Sequence, residues 1–379
     1  MSIFSKILNS TLNRLPLKNI IVFESEPDLS DNTKAVFDEF VQRGFNKKYK
    51  LVWMVTEKKK TFPKIKNVYY VKNLLTKSIF WKFVRLIINT QAKCFIACNR
   101  YLASYRPGQT AIYLTHGTPI KSMTKYTFAP QNIDWCYVAS ENMKELYAKE
   151  KKIDINKMIG LGYPRNDKLN SHRDVKSILQ TQCKKIIVWY PTYRQNKHKK
   201  SFNTNTNSVP LLHNTDYALK LNECAKNNDT LIVLKPHFAQ DLSFIKNIEL
   251  SNIVFIDDSF FEKNNITSYE FVGNCDALIT DYSSVYYDYT LCNKPIAVIW
   301  SDIDEYRTKP GFAVDLDFYL KGAEKIYTLE DFTQFLHRIS HNIDTLKNER
   351  NEIKEFANYS TDGKNTMRVV DDIIKRASL

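Results

Sequence analysis

With 379 residues, 43% hydrophobic and 25% charged, the chain is long enough for two domains and too apolar to be disordered throughout. Only 9 glycines are present, and no G-x-G-x-x-G, G-x-x-x-x-G-K-[ST] or G-x-S-x-G occurs, which removes the usual signatures of nicotinamide and flavin enzymes, P-loop ATPases and serine hydrolases. The balance of 55 basic and 41 acidic residues, +14, attracts polyanions: nucleic acid, an anionic membrane or a phosphate-rich substrate.

In chain order, the first pattern is amphipathic. Ile3, Phe4, Ile7, Leu8, Leu12 and Leu15 recur beside Lys6, Arg14 and Lys18. This predicts a helix lying in an anionic bilayer interface. Apolar runs then mark strands at Ile20–Phe23, Leu51–Val55, Val68–Val71, Cys94–Ala97, Ala111–Leu114, Trp135–Val138 and Met158–Leu161. Helical patterns fall between them, at Thr33–Arg43, Leu74–Asn89 and Glu141–Lys149. Continuous β-branched and aromatic runs suit parallel strands covered on both faces, and the alternation argues α/β. The stripe of residues 74–88 is expected to pack on its sheet, with a bilayer interface as the alternative. Lys77, Lys82 and Arg85 interrupt it, so no stretch of 18 apolar residues exists to span a membrane.

After a polar linker near residues 166–184 the pattern restarts. Strands are predicted at Ile186–Tyr190, Leu231–Leu234, Ile253–Ile256, Ala277–Thr280 and Ile296–Ile299, with helices from Leu329 onward. Gln195–Asn214 reads as a mobile loop. The seven cysteines (94, 98, 136, 183, 224, 275 and 292) are odd in number and scattered, which fits a reduced, cytosolic chain. Cys94 and Cys98 have no matching second pair, so no metal site is expected.

In a doubly wound sheet, ligands lie beyond the carboxyl ends of the strands. His116 follows one strand, and Thr118 with Pro119 predicts a capped helix start beside it. The plain reading is a structural histidine; the functional one is a proton acceptor beside a phosphate. Lys235 and His237 follow a second strand and offer two donors to an anion. Asp281, Ser283 and Ser284 follow a third, where the serines either cap a helix or bind phosphate. Arg194, in Tyr190-Pro191-Thr192-Tyr193-Arg194, follows a fourth.

Taken in order, His116-Gly117-Thr118-Pro119, Gly162-Tyr163-Pro164-Arg165-Asn166-Asp167, Tyr190-Pro191-Thr192-Tyr193-Arg194, Lys235-Pro236-His237, Thr280-Asp281-Tyr282-Ser283-Ser284 and Asp362-Gly363-Lys364 resemble the CDP-glycerol glycerophosphotransferases, the primases and polymerases of bacterial teichoic acid synthesis. The resemblance spans about Ile20 to Asp371. It implies a GT-B-like fold of two Rossmann-like domains facing a central cleft: an acceptor-side domain, residues 1–170, and a CDP-donor domain, residues 171–379. It also implies transfer of an alditol phosphate from CDP-glycerol or CDP-ribitol to a lipid-linked or glycan acceptor, with release of CMP, no cofactor and no metal. The expected location is cytoplasmic, peripheral on the inner face of the cell membrane. The length is that of a bare catalytic unit, and no oligomeric state is signalled. Where the family often has Arg before Pro-His, this chain has Lys235, which keeps the charge but loses the bidentate fork.

By the same resemblance, His116 is the general base and His237 binds the pyrophosphate; the residues themselves also admit the exchanged roles. Lys235 and Arg194 add positive charge, Thr118, Ser283 and Ser284 bind phosphate oxygens, and Asp281 orders its loop or contacts the donor. A GT-B glycosyltransferase using a nucleotide sugar is the nearer alternative. A nucleic-acid-binding protein is the distant one, since no helix-turn-helix, RRM or KH signature accompanies the charge.

Overall fold

The protein's structure, a computed structural model, describes residues 15–56, 61–72, 78–99, 106–122, 124, 132–192, 209–236, 245, 248–308 and 310–379. They form two α/β units, each built on a parallel sheet.

The first unit comprises Met1–Gly117, Phe128–Asp167 and Asp362–Leu379. Its strands are β1 (Ile20–Glu24), β2 (Lys50–Val55), β3 (Val68–Lys72), β4 (Cys94–Ala97), β5 (Thr110–Tyr113), β6 (Trp135–Val138) and β7 (Met158–Gly160). They are ordered β3-β2-β1-β4-β5-β6-β7, all parallel, with Ile21 in register with Leu51 and Cys94. Every residue of β1 is buried, because helices cover both faces. On one face Phe23 meets Phe37 and Phe40 of the helix Asp31–Gln42 edge-on, at 5.3 and 6.0 Å. Val369, Val370 and Ile373 of the C-terminal helix Asn365–Arg376 join that cluster. On the other face Ile20, Val22, Val52, Met54 and Phe95 are covered by Trp81, Val84 and Ile88 of the helix Ile79–Gln91.

The second unit comprises Thr118–Thr127 and Lys168–Thr361. Its strands are β8 (Lys185–Trp189), β9 (Thr230–Leu234), β10 (Ile253–Phe255), β11 (Ala277–Thr280), β12 (Ile296–Ile299) and β13 (Glu324–Ile326), ordered β10-β9-β8-β11-β12-β13 and all parallel. Trp189 packs on Phe332 of the helix Leu329–Ser340, with ring centroids 5.7 Å apart. β13 lies outside the sequence expectation: it is three residues long and begins Glu-Lys, so no apolar run announces it.

Three expectations need adjustment. The two units do not divide at 170/171 alone, since residues 362–379 join the first unit and 118–127 the second. The C-terminal helix carries an apolar stripe for the first sheet, and Asp167 accepts the Asn365 and Thr366 N–H groups at its start, at 2.9 and 2.7 Å. The linker region is also structured, with 3-10 turns over Pro164–Asn170 and a short helix Val175–Leu179. Finally, the helix Ile79–Gln91 does not bury its whole apolar face. Trp81, Val84 and Ile88 meet the sheet, but Ile79, Phe80 and Phe83 are 82, 65 and 50% exposed.

The N-terminal pattern falls within residues 1–14 except for Leu15 and Lys18, and the loop predicted at 195–214 lies at 195–208 outside the described residues. Its final stretch is anchored, with Val209, Leu211 and Leu212 buried. No described helix is long and apolar enough to cross a membrane.

Candidate active site

The order of each sheet reverses once, between β1 and β4 and between β8 and β11. Beyond the carboxyl ends of those strands a doubly wound sheet opens a crevice; Asp31 follows β1 in the first unit, and Asp281, Ser283 and Ser284 follow β11 in the second.

In the first unit β5 ends at Tyr113, and the chain turns sharply through Thr115, at φ 46°, and Gly117, at φ 136°. A β-branched residue at positive φ is strained, and persists only where its surroundings hold it. Here the Thr115 hydroxyl donates to the Tyr137 carbonyl at 2.7 Å, and the Asn32 amide donates to the Thr115 carbonyl at 3.1 Å. The turn leaves the His116 side chain 61% exposed. Its Nδ1 meets the Oδ2 of Asp31, which is only 6% exposed. Asp31 opens the helix after β1 and sits at φ 60°. Its Oδ1 accepts from Arg165 at 2.7 Å, and the same Arg165 nitrogen donates to the His116 carbonyl at 3.1 Å. Burial by itself raises the Asp31 carboxyl, but the Arg165 and His116 charges and hydrogen bonds overcome it and hold the group well below the usual carboxylate range.

Neighbouring motif residues hold this arrangement. The Arg165 N–H donates to the Asn32 side-chain oxygen at 3.0 Å. Tyr163 and Tyr147 share a hydrogen bond at 2.9 Å, and the Tyr147 hydroxyl donates to the Gly117 carbonyl. Gly162 is required as glycine: at φ 88°, an added Cβ would lie 2.3 Å from the Asn365 side chain.

In the second unit the β8 and β11 ends are tied together. The Asp281 carboxylate accepts the Thr192 N–H, at 2.9 and 3.1 Å to its two oxygens, and the Thr280 hydroxyl donates to the Tyr190 carbonyl at 2.8 Å. Asp281 is therefore a buried anchor for the loop after β8. Lys235, at the end of β9, places its ammonium 3.1 Å from Asp258 and 6.0 Å from the Tyr190 ring centroid. Ser283 and Ser284 are half-buried before the helix Val285–Thr290, and Ser284 makes no side-chain cap. Thus Asp281, Ser283 and Ser284 gather at the switch between β8 and β11, with Lys235 at the end of adjacent β9. His116 stands in the first unit. His237 and Arg194 lie outside the described residues.

The helix predicted at Pro119 is not formed. Ile120 accepts from Ala313 at 2.8 Å, Ser122 donates to Gly311 at 3.0 Å, and Lys121 bridges Phe312 in antiparallel fashion. Extended pairing satisfies the backbone groups that a helix would have used. Thr118 is buried there and caps no helix.

Asp31 and Arg165 were not assigned site roles from sequence. Asp31 lies 85 residues before His116 and 134 before Arg165. The available signal was an acidic residue opening the helix after the first strand. Burial also raises the thiols of Cys94, Cys98, Cys136 and Cys275, which makes them poor nucleophiles.

A family model described as CDP-glycerol:poly(glycerophosphate) glycerophosphotransferase matches residues 7–375. A teichoic acid poly(glycerol phosphate) polymerase of Bacillus spizizenii is 25% identical over 94% of this chain and 92% of its own length. A teichoic acid glycerol-phosphate transferase of Staphylococcus aureus is 25% identical over 96% and 95%. The solved wall teichoic acid polymerase TagF superposes with a TM-score of 0.71 at 20% identity, covering 98% of this chain and 93% of that one, and so shares its GT-B-like fold.

Proposed function

Because the chain belongs to the CDP-glycerol:poly(glycerophosphate) glycerophosphotransferase family, we propose that it transfers an alditol phosphate, glycerol phosphate first among them, from a CDP-activated donor to a hydroxyl of a lipid-linked or glycan acceptor in the synthesis of teichoic acid or a capsule-type polymer. The observation that carries this reading is the exposed His116 held by a buried carboxylate at a strand end of the family fold.

The acceptor oxygen forms a bond to the β-phosphorus, the phosphoanhydride bond breaks, and CMP leaves with the bridging oxygen. The hydroxyl proton passes to His116. The first unit takes the acceptor and the second the donor. Ser283 and Ser284 offer hydroxyls to the donor phosphates, while the buried Thr118 supports its own loop and Asp281 holds the loop after β8. Lys235, Arg194 and His237 balance the charge that grows on the leaving phosphate.

The enzyme acts from the cytoplasmic surface of the membrane. The exposed Ile79, Phe80 and Phe83, with Lys82 among them, support such contact.

A donor screen tests the reading. Incubated with a lipid-linked acceptor, the purified chain should release CMP from CDP-glycerol or CDP-ribitol. Release of UDP from a UDP-sugar, with no CMP from either CDP-alditol, would replace the reading with glycosyl transfer.

A further inference from the structure

We propose that Asp31 is the positioning residue of this reaction: its carboxylate sets the ring orientation and tautomer of His116, and Arg165 in turn sets the carboxylate. The proposal rests on His116 being the base.

The two carboxylate oxygens are divided between two partners. Oδ2 faces His116 Nδ1, and Oδ1 accepts from Arg165 at 2.7 Å. An ionised carboxylate only accepts hydrogen bonds, so Nδ1 carries the proton of the neutral ring and Nε2 keeps its lone pair. The opposite tautomer would set an Nδ1 lone pair against the carboxylate anion and leave Nε2 without one. Burial opposes ionisation of Asp31, but Arg165 and His116 together outweigh it. When Nε2 takes the acceptor proton, the imidazolium forms against a charge already in place.

Asp31 acts through His116 because its side chain is 6% exposed and His116 is 61% exposed. The supporting parts come from three separate segments. Asn32 donates to the Leu114 and Thr115 carbonyls at 3.3 and 3.1 Å and accepts the Arg165 N–H, while Arg165 also reaches the His116 carbonyl. Asp31 sits in this clasp at φ 60°, a conformation that costs free energy in a non-glycine residue.

Asp31→Asn separates a positioning role from a packing role. The amide oxygen can still accept from Arg165, but the amide N–H₂ now donates to Nδ1 and forces the proton onto Nε2. The test uses the full chain labelled with 15N-histidine, in a pH range where the ring is neutral. His116 signals are identified by their loss in His116→Ala. The wild type should show Nδ1–H, and Asp31→Asn should show Nε2–H; Nε2–H in the wild type overturns the proposal. In turnover, Asp31→Asn should lower kcat by about 10²–10⁴-fold while KM for CDP-glycerol stays within about twofold. On a His116→Ala background the same change should cost less than about twofold, because the two residues act as a unit. A further loss of about tenfold or more on that background would overturn the proposal. Should Asp31→Asn fail to fold, the wild-type spectrum still decides. Failure of the parent reading looks different: no CMP from either CDP-alditol, whatever the tautomer.

Discussion

His116 is exposed and Asp31 is buried, and this asymmetry makes predictions about single residues specific. Removing the imidazole leaves Asp31 paired with Arg165, so His116→Ala should fold. Its kcat should fall by about 10²–10⁴-fold with CDP-glycerol affinity within about twofold, as expected for a group acting in the chemical step. His237→Ala should weaken both turnover and donor binding. Calorimetry with CDP-glycerol separates the two, and near-normal turnover by His116→Ala would refute the base assignment. The serine pair gives a second case. Ser284 makes no side-chain cap, so replacing Ser283 and Ser284 by Ala should cost little stability. Hydrogen bonds to charged groups contribute about 1.5–3 kcal/mol each, so donor affinity should fall at least about tenfold. A large drop in melting temperature with unchanged affinity would assign the hydroxyls to folding instead.

Asp31 also links stability to pH. Its folded carboxyl lies well below the usual range, so it contributes stability in full above the unfolded pKa of about 3.9, and this is lost progressively as pH falls toward the folded value. Asp31→Asn has no such contribution. Urea unfolding of both proteins should show a stability gap that is present above about pH 4 and narrows as pH drops below it. A gap that widened as pH fell from about 4 would contradict the ion pair.

Among the elements, strands were the most legible. Cys94–Ala97, Trp135–Val138, Ala277–Thr280 and Ile296–Ile299 stand where their apolar runs place them, because buried parallel strands must be apolar on both faces. What the sequence hid was pairing at a distance. Thr118-Pro119 has the local chemistry of a helix start, yet Ile120–Ser122 pairs with Gly311–Ala313, and no nearest-neighbour rule contains that partner. The same limit hid the Asp31–His116–Arg165 arrangement, which exists only once β1 and β5 flank β4 and the Gly162–Asp167 segment is fixed to the C-terminal helix. The helix Ile79–Gln91 yields a prediction at this scale. Replacing Ile79, Phe80 and Phe83 by Ser removes exposed apolar surface and leaves Trp81, Val84 and Ile88 on the sheet. In liposome flotation the wild type should rise with anionic vesicles, and less so at high salt, while the variant stays below. Equal flotation of both would remove this helix from membrane contact.

For the whole molecule, the +14 charge did not distinguish nucleic acid from membrane or phosphorylated substrate. The ordered motifs pointed to the phosphorylated substrate, and the structure gives several of them a physical meaning as ties. Asp167 starts the C-terminal helix, Asp281 joins β8 to β11, and Arg165 reaches both Asp31 and His116. Whether the fold performs alditol phosphate transfer is read most directly from the acceptor. Mass spectrometry of a lipid-linked acceptor, incubated with the full chain and CDP-glycerol or CDP-ribitol, should show a gain of whole alditol phosphate units matched by the CMP released. An acceptor that gained a sugar from a nucleotide sugar, or none that gained an alditol phosphate from either donor, would contradict the account.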